Sequence, residues 1–438
     1  MSLADFRKAI HCLSIFGLDS KAPGHTRELE RLRLARSICE RAYGDVPSVM
    51  TRVRSSFCFD PRDKIYGSLG IIKLAGESRL VETLTVDYSP SHSVEAAYLD
   101  FFKRYHKRYD TLGLLAHAGL SGSAEMRPTW VPDWRVQPVE LDYSIESATS
   151  HFVRGECSYP SSGVLAMLGR LVTALTSAHS LAPPGPDESS IDRYRELGLL
   201  LHGTTLNLHA STSVQRLTRA ICSPLSGSLY DLESVRRRRE EIVGYVQYIC
   251  EMKIEHLRDR TKPFLPPEQM LSPEATSALE ICVRFLRQPG LPLIFASHDL
   301  VGVGPKGAQA GDVVSAVLGS RALLLLRPAD GGAHRLVGPC FVHGYNWGEA
   351  LLGPLPGKCI VVPYYEASRR GYVPHYLDPE TNVSTMWDPR VRWEELDVQP
   401  ALASFVPVTA PPCEPLRMRP DSDYLRRHDV ELDEIKLI

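Results

Sequence analysis

The sequence predicts an α+β protein, with a mainly helical N-terminal and middle part followed by a β-rich module shaped as a barrel or a sandwich. Before about residue 290, apolar residues recur at three- and four-residue steps, which is the period of an amphipathic helix. From about residue 291, short β-prone runs alternate with glycine-containing turns. These two patterns predict both the fold class and the order of its parts.

Three segments carry the helical period clearly: 93–109, 231–257, and the stretch that starts at Ser272-Pro273-Glu274. Serine is a good N-cap and proline suits the first helical position, so the third helix should begin there. The predicted core stripes of the three helices are Val94, Ala97, Tyr98, Phe101, Phe102 and Tyr105; Ile242, Val246 and Ile249; and Leu279, Cys282, Val283 and Leu286.

The β-rich stretch consists of four runs, LPLIFAS, DVVSAVL, ALLLLR and HRLVGPCFVHG. Asp330-Gly331-Gly332 lies between the last two and predicts a hairpin. A Pro- and Gly-rich loop over 181–190 marks a boundary. We therefore expect two helical regions, 1–180 and 190–290. They should be followed by a strand-rich region, 291–400, and an extended tail, 401–438.

Composition narrows the class of protein. With 50 basic and 52 acidic residues the net charge is −2, which gives no basic field for nucleic acid or an anionic membrane. No 18-residue apolar run and no secretory leader pattern occur, so we expect a soluble cytoplasmic protein without a membrane span. The ten cysteines form no CxxC pair, which predicts buried thiols rather than a metal site.

Three stretches in order resemble the fungal heterokaryon-incompatibility (HET-domain) family. The first, Asp60-Pro61-Arg62-Asp63-Lys64-Ile65-Tyr66-Gly67, is similar to that family's DPRDKIYALLG signature, and the second, Thr129-Trp130-Val131-Pro132-Asp133-Trp134, to its PSWVPDW element. The third is the β-rich region, with Gly311-Asp312-Val313-Val314, Leu325-Leu326-Arg327-Pro328 and Val342-His343-Gly344. The resemblance covers about 60 to 350.

The family's N-terminal SYxWG and WxxRxWxxQE elements have no match in this sequence. We therefore expect the chain to correspond to the C-terminal half of the family, a truncated HET-like region. Functions that depend on the other half are not carried over by the resemblance.

Both motifs have a structural interpretation and a functional one. Asp60 and Pro61 suit a helix start, and the Trp130–Trp134 element suits a packed corner in which each indole N–H finds a partner. The functional alternative is an apolar pocket walled by the indoles, with Asp133 and Arg62 as polar anchors.

No phosphate loop, dinucleotide fingerprint, zinc-protease motif or nucleophile elbow occurs, so we predict neither cofactor nor metal. A cofactor-free pericyclase needs no such motif, because it can hold a polyene in a reactive conformer and polarise it with hydrogen bonds. The candidate catalytic residues are Trp134, Asp133, Arg62 and Tyr66. The candidate substrate-binding residues are Trp130, Trp347, His343 and Glu349.

Two functional hypotheses follow. The first is a Diels–Alderase-like cyclase that shapes a terpenoid or polyketide intermediate in fungal secondary metabolism, with a small apolar molecule as its partner. The second is a regulatory or interaction protein of heterokaryon incompatibility without catalytic activity. For His343, His298-Asp299 and Glu349, structural hydrogen bonding is the alternative to a role in a site.

Overall fold

The computed structural model describes residues 46–54, 56–74, 76–120, 128–136, 153–161, 163–182, 189–204, 211–222, 232–287, 291–297, 300–366, 371–381, 383–385, 387–396 and 419–438. The fold is a mixture of helix and antiparallel sheet, as the sequence predicts. The chain divides into two compact units. Unit 1 comprises 1–108, 133–137 and 365–372, and unit 2 comprises 109–132, 138–364 and 373–438.

Unit 1 is helical in its described residues up to 108. Its helices are α1 (Val46–Arg54), α2 (Asp63–Tyr66), α3 (Leu69–Leu74), α4 (Ser78–Thr83) and α5 (Val94–Tyr109). On α5 the predicted stripe is buried from Ala97 to Tyr105, which confirms the amphipathic helix. Met50, Ile65 and Ile72 complete the core from the shorter helices.

Unit 2 contains a helical layer and a sheet. The helices are α6 (Ser190–His202), α7 (Ser211–Ile221), α8 (Leu232–Glu251), α9 (Ile254–Arg258) and α10 (Pro273–Leu286). The stripes predicted for α8 and α10 are buried in one core, and the backbone N–H of Ala275 donates to Ser272 Oγ at 3.3 Å, as expected for the predicted N-cap.

The main sheet of unit 2 has eight strands. They are β1 (Cys157–Ser161), β2 (Val164–His179), β3 (Leu293–Ala296), β4 (Leu300–Val303), β5 (Val313–Val317), β6 (Leu323–Pro328), β7 (His334–Val342) and β11 (Asp433–Leu437). The order is β1-β2-β3-β4-β7-β6-β5, and β5 also pairs with β2, the second strand in this order. The Asp330–Gly332 turn joins β6 to β7 as a hairpin, as predicted.

Strand β3 separates two apolar cores. Leu293 and Phe295 pack with the helical layer, whereas Ile294 and Ala296 pack with the residues of β5, β6 and β7. A strand buried on both faces has a continuous apolar sequence, which explains the uninterrupted run in this part of the chain.

Two stretches differ from the sequence-based regions. Region 1–180, expected to be helical, ends in β1 and in the 16-residue strand β2, which pairs with β1, β3, β5 and β11. Region 401–438, expected as an extended tail, contains α12 (Ser422–Arg427) and β11, whose Ile435 and Leu437 are fully buried against the sheet. In both stretches, pairing with strands that are distant in sequence stabilises a backbone conformation that the local sequence does not determine.

Three further strands, β8 (Ile360–Glu366), β9 (Gly371–Asp378) and β10 (Val383–Thr385), form a small antiparallel sheet. The short helix α11 (Glu349–Leu352) follows β7. Among the described cysteines, Cys250, Cys282 and Cys340 are buried as expected, Cys157, Cys222 and Cys359 are half-buried, and Cys58 is exposed.

Candidate functional site

Arg62, a predicted catalytic residue, is held in unit 1 by Asp60 and by backbone carbonyls. Its backbone N–H donates to Asp60 Oδ1 at 2.9 Å, and its guanidinium donates to Asp60 Oδ2 at 2.7 Å. The same guanidinium donates to the carbonyls of Ser89 (3.0 Å) and His92 (2.8 Å). The hydrogen bonds from Arg62 lower the pKa of Asp60. Arg62 therefore ties the α2 start to the loop before α5.

Lys64 acts as a second local cross-link. Its ammonium is buried and donates to the carbonyls of Val53 (3.2 Å), Arg54 (2.9 Å) and Ser56. Burial lowers the pKa of Lys64. Three converging carbonyl dipoles satisfy an ammonium group, which has three donors.

Asp133 and Trp134 are buried in unit 1, at 5% and 1% exposure. Asp133 Oδ1 accepts from the backbone N–H (3.0 Å) and Nε (2.9 Å) of Arg135. The Arg54 guanidinium lies 4.5 Å from the centroid of the Trp134 ring, within the range of a cation–π contact. The burial of both residues agrees with a packed corner, but the hydrogen bond expected of the Trp134 indole N–H is not observed within the described part of the chain.

Tyr66 is half-buried, and its ring meets that of Tyr88 edge to face, with centroids 5.2 Å apart. The Tyr88 hydroxyl donates to Asp63, which raises the pKa of Tyr88 to about 12. The hydroxyl of Tyr98, on α5, donates to the Pro61 carbonyl at 2.7 Å. The four predicted catalytic residues thus belong to one unit, where the polar groups of Arg62 and Asp133 form hydrogen bonds with neighbouring protein groups.

Trp130 belongs to unit 2 and is also buried, at 1% exposure. Its Nε1–H donates to the Gly163 carbonyl at 3.0 Å, and its ring lies 6.0 Å from that of Tyr159. This is the hydrogen-bonded packing that the structural interpretation of the WVPDW element predicts.

The other three predicted substrate-binding residues lie together on the turn between β7 and α11. Glu349 Oε2 accepts from the backbone N–H of Trp347 at 2.7 Å, and Trp347 is half-buried. Burial raises the pKa of Glu349 although that N–H and Arg390 favour its charged form. His343 lies four residues before Trp347 in the chain, and its Nε2 is 2.9 Å from Nη1 of Arg219 on α7.

A buried ion pair adjoins this turn and was not predicted from the sequence. Asp388 and Arg390 have side chains 0% and 6% exposed and 2.7 Å apart. Arg390 donates to the carbonyls of Trp347 and Gly353, and the Tyr376 hydroxyl donates to Asp388 at 3.0 Å. Arg390 therefore holds the turn that carries Trp347.

A repeated local pattern could have revealed this pair. Asp60-Pro-Arg62, Asp133-Trp-Arg135 and Asp388-Pro-Arg390 all place arginine two residues after aspartate. In each, the arginine backbone N–H and Nε donate to the same aspartate oxygen, at 2.9 to 3.1 Å. We call this arrangement the Asp-x-Arg clip. It positions the guanidinium to bind a further segment of chain.

Unit 1 also exposes large apolar side chains beside the first clip. Phe57 is 84% exposed, Phe59 is fully exposed, and Val86 and Tyr88 are about half exposed. We call these four residues the phenylalanine surface. Cys58 and Tyr88 both lie within electrostatic reach of Asp60 and Asp63, so the two exposed stretches flank the Asp60–Lys64 segment.

Other features of the described residues offer little chemistry. An open depression beside α12 is lined by Asp421, Asp423, Arg426 and Arg427, whose charges do not suit a polyene. No cluster of three or more metal-binding side chains occurs in the described ranges. In those ranges no helix has both the length and the apolar character needed to span a bilayer. His298-Asp299 lies outside the described residues.

Comparison with known proteins found no matching family profile, no matching characterised protein and no matching solved structure. The resemblance to the HET family therefore remains a prediction from the sequence motifs.

Proposed function

We propose that this chain works by protein–protein recognition, as an interaction protein related to fungal heterokaryon incompatibility, through the phenylalanine surface. The observation that supports this most is the exposure of Phe57 and Phe59 between α1 and α2. Exposed large apolar side chains that cluster on a folded surface are typical of binding sites. The partner we propose is a protein with an apolar pocket deep enough for phenylalanine rings.

The support beneath this surface strengthens the proposal. Lys64 donates a hydrogen bond to the carbonyl of Ser56, directly before Phe57. The hydrogen bonds between Asp60 and Arg62 hold the chain directly after Phe59. A loop fixed at both ends loses less conformational entropy when it binds, so more of the apolar burial appears as affinity. The DPRDK-like motif then serves to present the two phenylalanines.

The test is the incompatibility reaction in fungal strains that express the wild-type chain or the double variant Phe57→Ser/Phe59→Ser at equal abundance. The wild-type chain should change the strength of the reaction, and the double variant should lose this effect. The matched control is Ile281→Ser/Val383→Ser, which removes two other exposed apolar side chains. An undiminished effect of the phenylalanine variant, or an equal loss in the control, would contradict the proposal.

We propose as a second candidate a cofactor-free cyclase of fungal secondary metabolism, with its site at the β7–α11 turn. The observation that favours it is the juxtaposition of half-buried Trp347 with Glu349, a carboxyl group whose pKa is raised. A raised pKa extends the pH range in which the carboxyl group is protonated, and the protonated form can donate a hydrogen bond to a carbonyl and so polarise a dienophile. The Trp347 ring supplies an apolar surface for a polyene.

A pericyclic cyclisation conserves mass, which gives this candidate a specific readout. A strain that lacks the protein should accumulate an uncyclised terpenoid or polyketide with the mass of the missing product. Wild-type protein should restore the cyclised compound, whereas Trp347→Ala and Glu349→Gln should not. An unchanged metabolite profile in the deletion strain would exclude this function.

We also infer that the circuit of pairings from β2 through β3, β4, β7, β6 and β5 back to β2 closes as a small barrel. The double role of β2, which pairs with β5 over Gly169–Ala174 and with β3 over Leu175–His179, supports this. The β7–α11 turn would then lie at one end of that barrel.

A further inference from the structure

A group of cationic side chains surrounds His343 in unit 2. The backbone N–H of His343 donates to the carbonyl of Val301 on β4 at 3.2 Å, which fixes the residue at the end of β7. Helix α7 packs against β4 and brings Arg219 Nη1 to 2.9 Å from His343 Nε2. Arg216, one turn earlier on α7, and Arg239 on α8 also act electrostatically on the imidazole.

The contact with Arg219 defines the protonation state of His343. A guanidinium has donors only, so His343 Nε2 must accept, and the imidazole is neutral with its proton on Nδ1. In agreement, burial and the positive charges of Arg219, Arg239 and Arg216 lower the pKa of His343 to about 4. Among the described residues, these three arginines are the charged groups that act on it.

The positive charge at this place has little compensation within the described chain. Arg219 is solvent-exposed and donates to a neutral ring, and its own pKa is lowered by desolvation and by Arg239. In the described ranges, neither Arg219 nor Arg239 forms an ion pair with a carboxylate. Like charges held together on two packed helices repel one another, so an anion placed between them would stabilise the arrangement.

We propose that Arg219, Arg239 and His343 form a binding site for a phosphate-type dianion. Arg219 and Arg239 donate to the phosphate oxygens, because the guanidinium fork matches phosphate geometry. His343 Nε2 accepts from Arg219 and so orients that guanidinium beside the anion. A dianion suits the site better than a monoanion, because at least two permanent positive charges face it. This proposal does not depend on the phenylalanine surface, and its His343 lies on the same β7–α11 turn as the cyclase candidate.

The test is calorimetric titration of the full chain with inorganic phosphate near neutral pH, at constant ionic strength. We expect saturable binding at one site per chain, with affinity that falls as the pH drops and phosphate becomes a monoanion. Arg219→Gln and Arg239→Gln should each weaken binding by about tenfold or more, since each loses a charge-assisted contact. Arg284→Gln is the matched control, since Arg284 is an exposed helical arginine paired with Glu280.

Several outcomes would overturn the proposal. These are the absence of saturable binding, an equal loss with Arg284→Gln, and phosphate binding that leaves the imidazole signals of His343 unchanged in NMR spectra. Thermal unfolding without phosphate checks that the variants fold. If Arg219→Gln does not fold, the Arg239→Gln variant decides, because Arg239 lies on an exposed helix face.

Discussion

A single buried lysine fastens the loop that precedes the phenylalanine surface. Replacing Lys64 with methionine keeps the length of the side chain but leaves the carbonyls of Val53, Arg54 and Ser56 without their donor. We expect Lys64→Met to lower the free energy of unfolding by about 1–3 kcal/mol. The measurement is urea unfolding, with Lys73→Met as control, because Lys73 is exposed in the same unit. An equal effect of both variants would remove the assigned role.

His343 predicts a pH dependence of stability. Its pKa is about 4 in the folded chain, below the ordinary value of 6.5, so the unfolded chain binds more protons between these values. Stability should therefore fall as the pH drops from 6.5 toward 4, by at most about 3 kcal/mol from this residue. His343→Gln, whose amide oxygen can still accept from Arg219, should show a smaller fall over this range. Parallel pH profiles for the two proteins would contradict the assignment.

At the scale of elements, the three Asp-x-Arg clips share a geometry but differ in burial. Asp388 is fully buried, whereas the Asp60 side chain is 25% exposed. Asp388→Asn leaves a buried guanidinium without its counter-charge and should cost about 3–5 kcal/mol. Asp60→Asn, in a solvated pair, should cost about 1 kcal/mol or less. Chemical unfolding of both variants checks this order, and the reverse order would refute the burial argument.

Strand β11 is a second element whose contribution can be measured. It pairs with β2 from Asp433 to Leu437 and buries Ile435 and Leu437, while Glu434 and Lys436 point to solvent. Ile435→Ala should cost about 2–5 kcal/mol through lost burial and the resulting cavity. Glu434→Ala should stay within about 0.5 kcal/mol of the wild-type chain. A thermal-unfolding midpoint that does not change in the isoleucine variant would show that the strand is dispensable.

Across the whole molecule, the sequence predicts those features that depend on neighbours close along the chain. Helices α5, α8 and α10 and the β6–β7 hairpin follow from local periodicity and turn chemistry. Strand β2 does not, because part of it is apolar on both faces and it pairs with three strands distant in sequence as well as with its neighbour β1. The alternation at Ile435 and Leu437 was a usable signal for β11.

The candidate sites also include some features that the local sequence predicts and others that it does not. The local clip around Asp60 and Arg62 could be anticipated from the Asp-Pro-Arg sequence. The meeting of Arg219 with His343 spans 124 positions of the chain, and no pattern within either segment indicates it. Exposure of Phe57 and Phe59 also depends on tertiary structure, because a short aromatic run is equally compatible with a buried strand.

We infer that the 60–67 segment and Asp133-Trp134 are structural supports of unit 1, with Trp134 as a buried core residue beneath Arg54. The free energy of unfolding of Trp134→Ala tests this role. We expect a loss of about 3–5 kcal/mol, as for other fully buried aromatic residues. Stability within about 0.5 kcal/mol of wild type, together with an altered small-molecule product profile, would contradict it and place Trp134 in a ligand pocket instead.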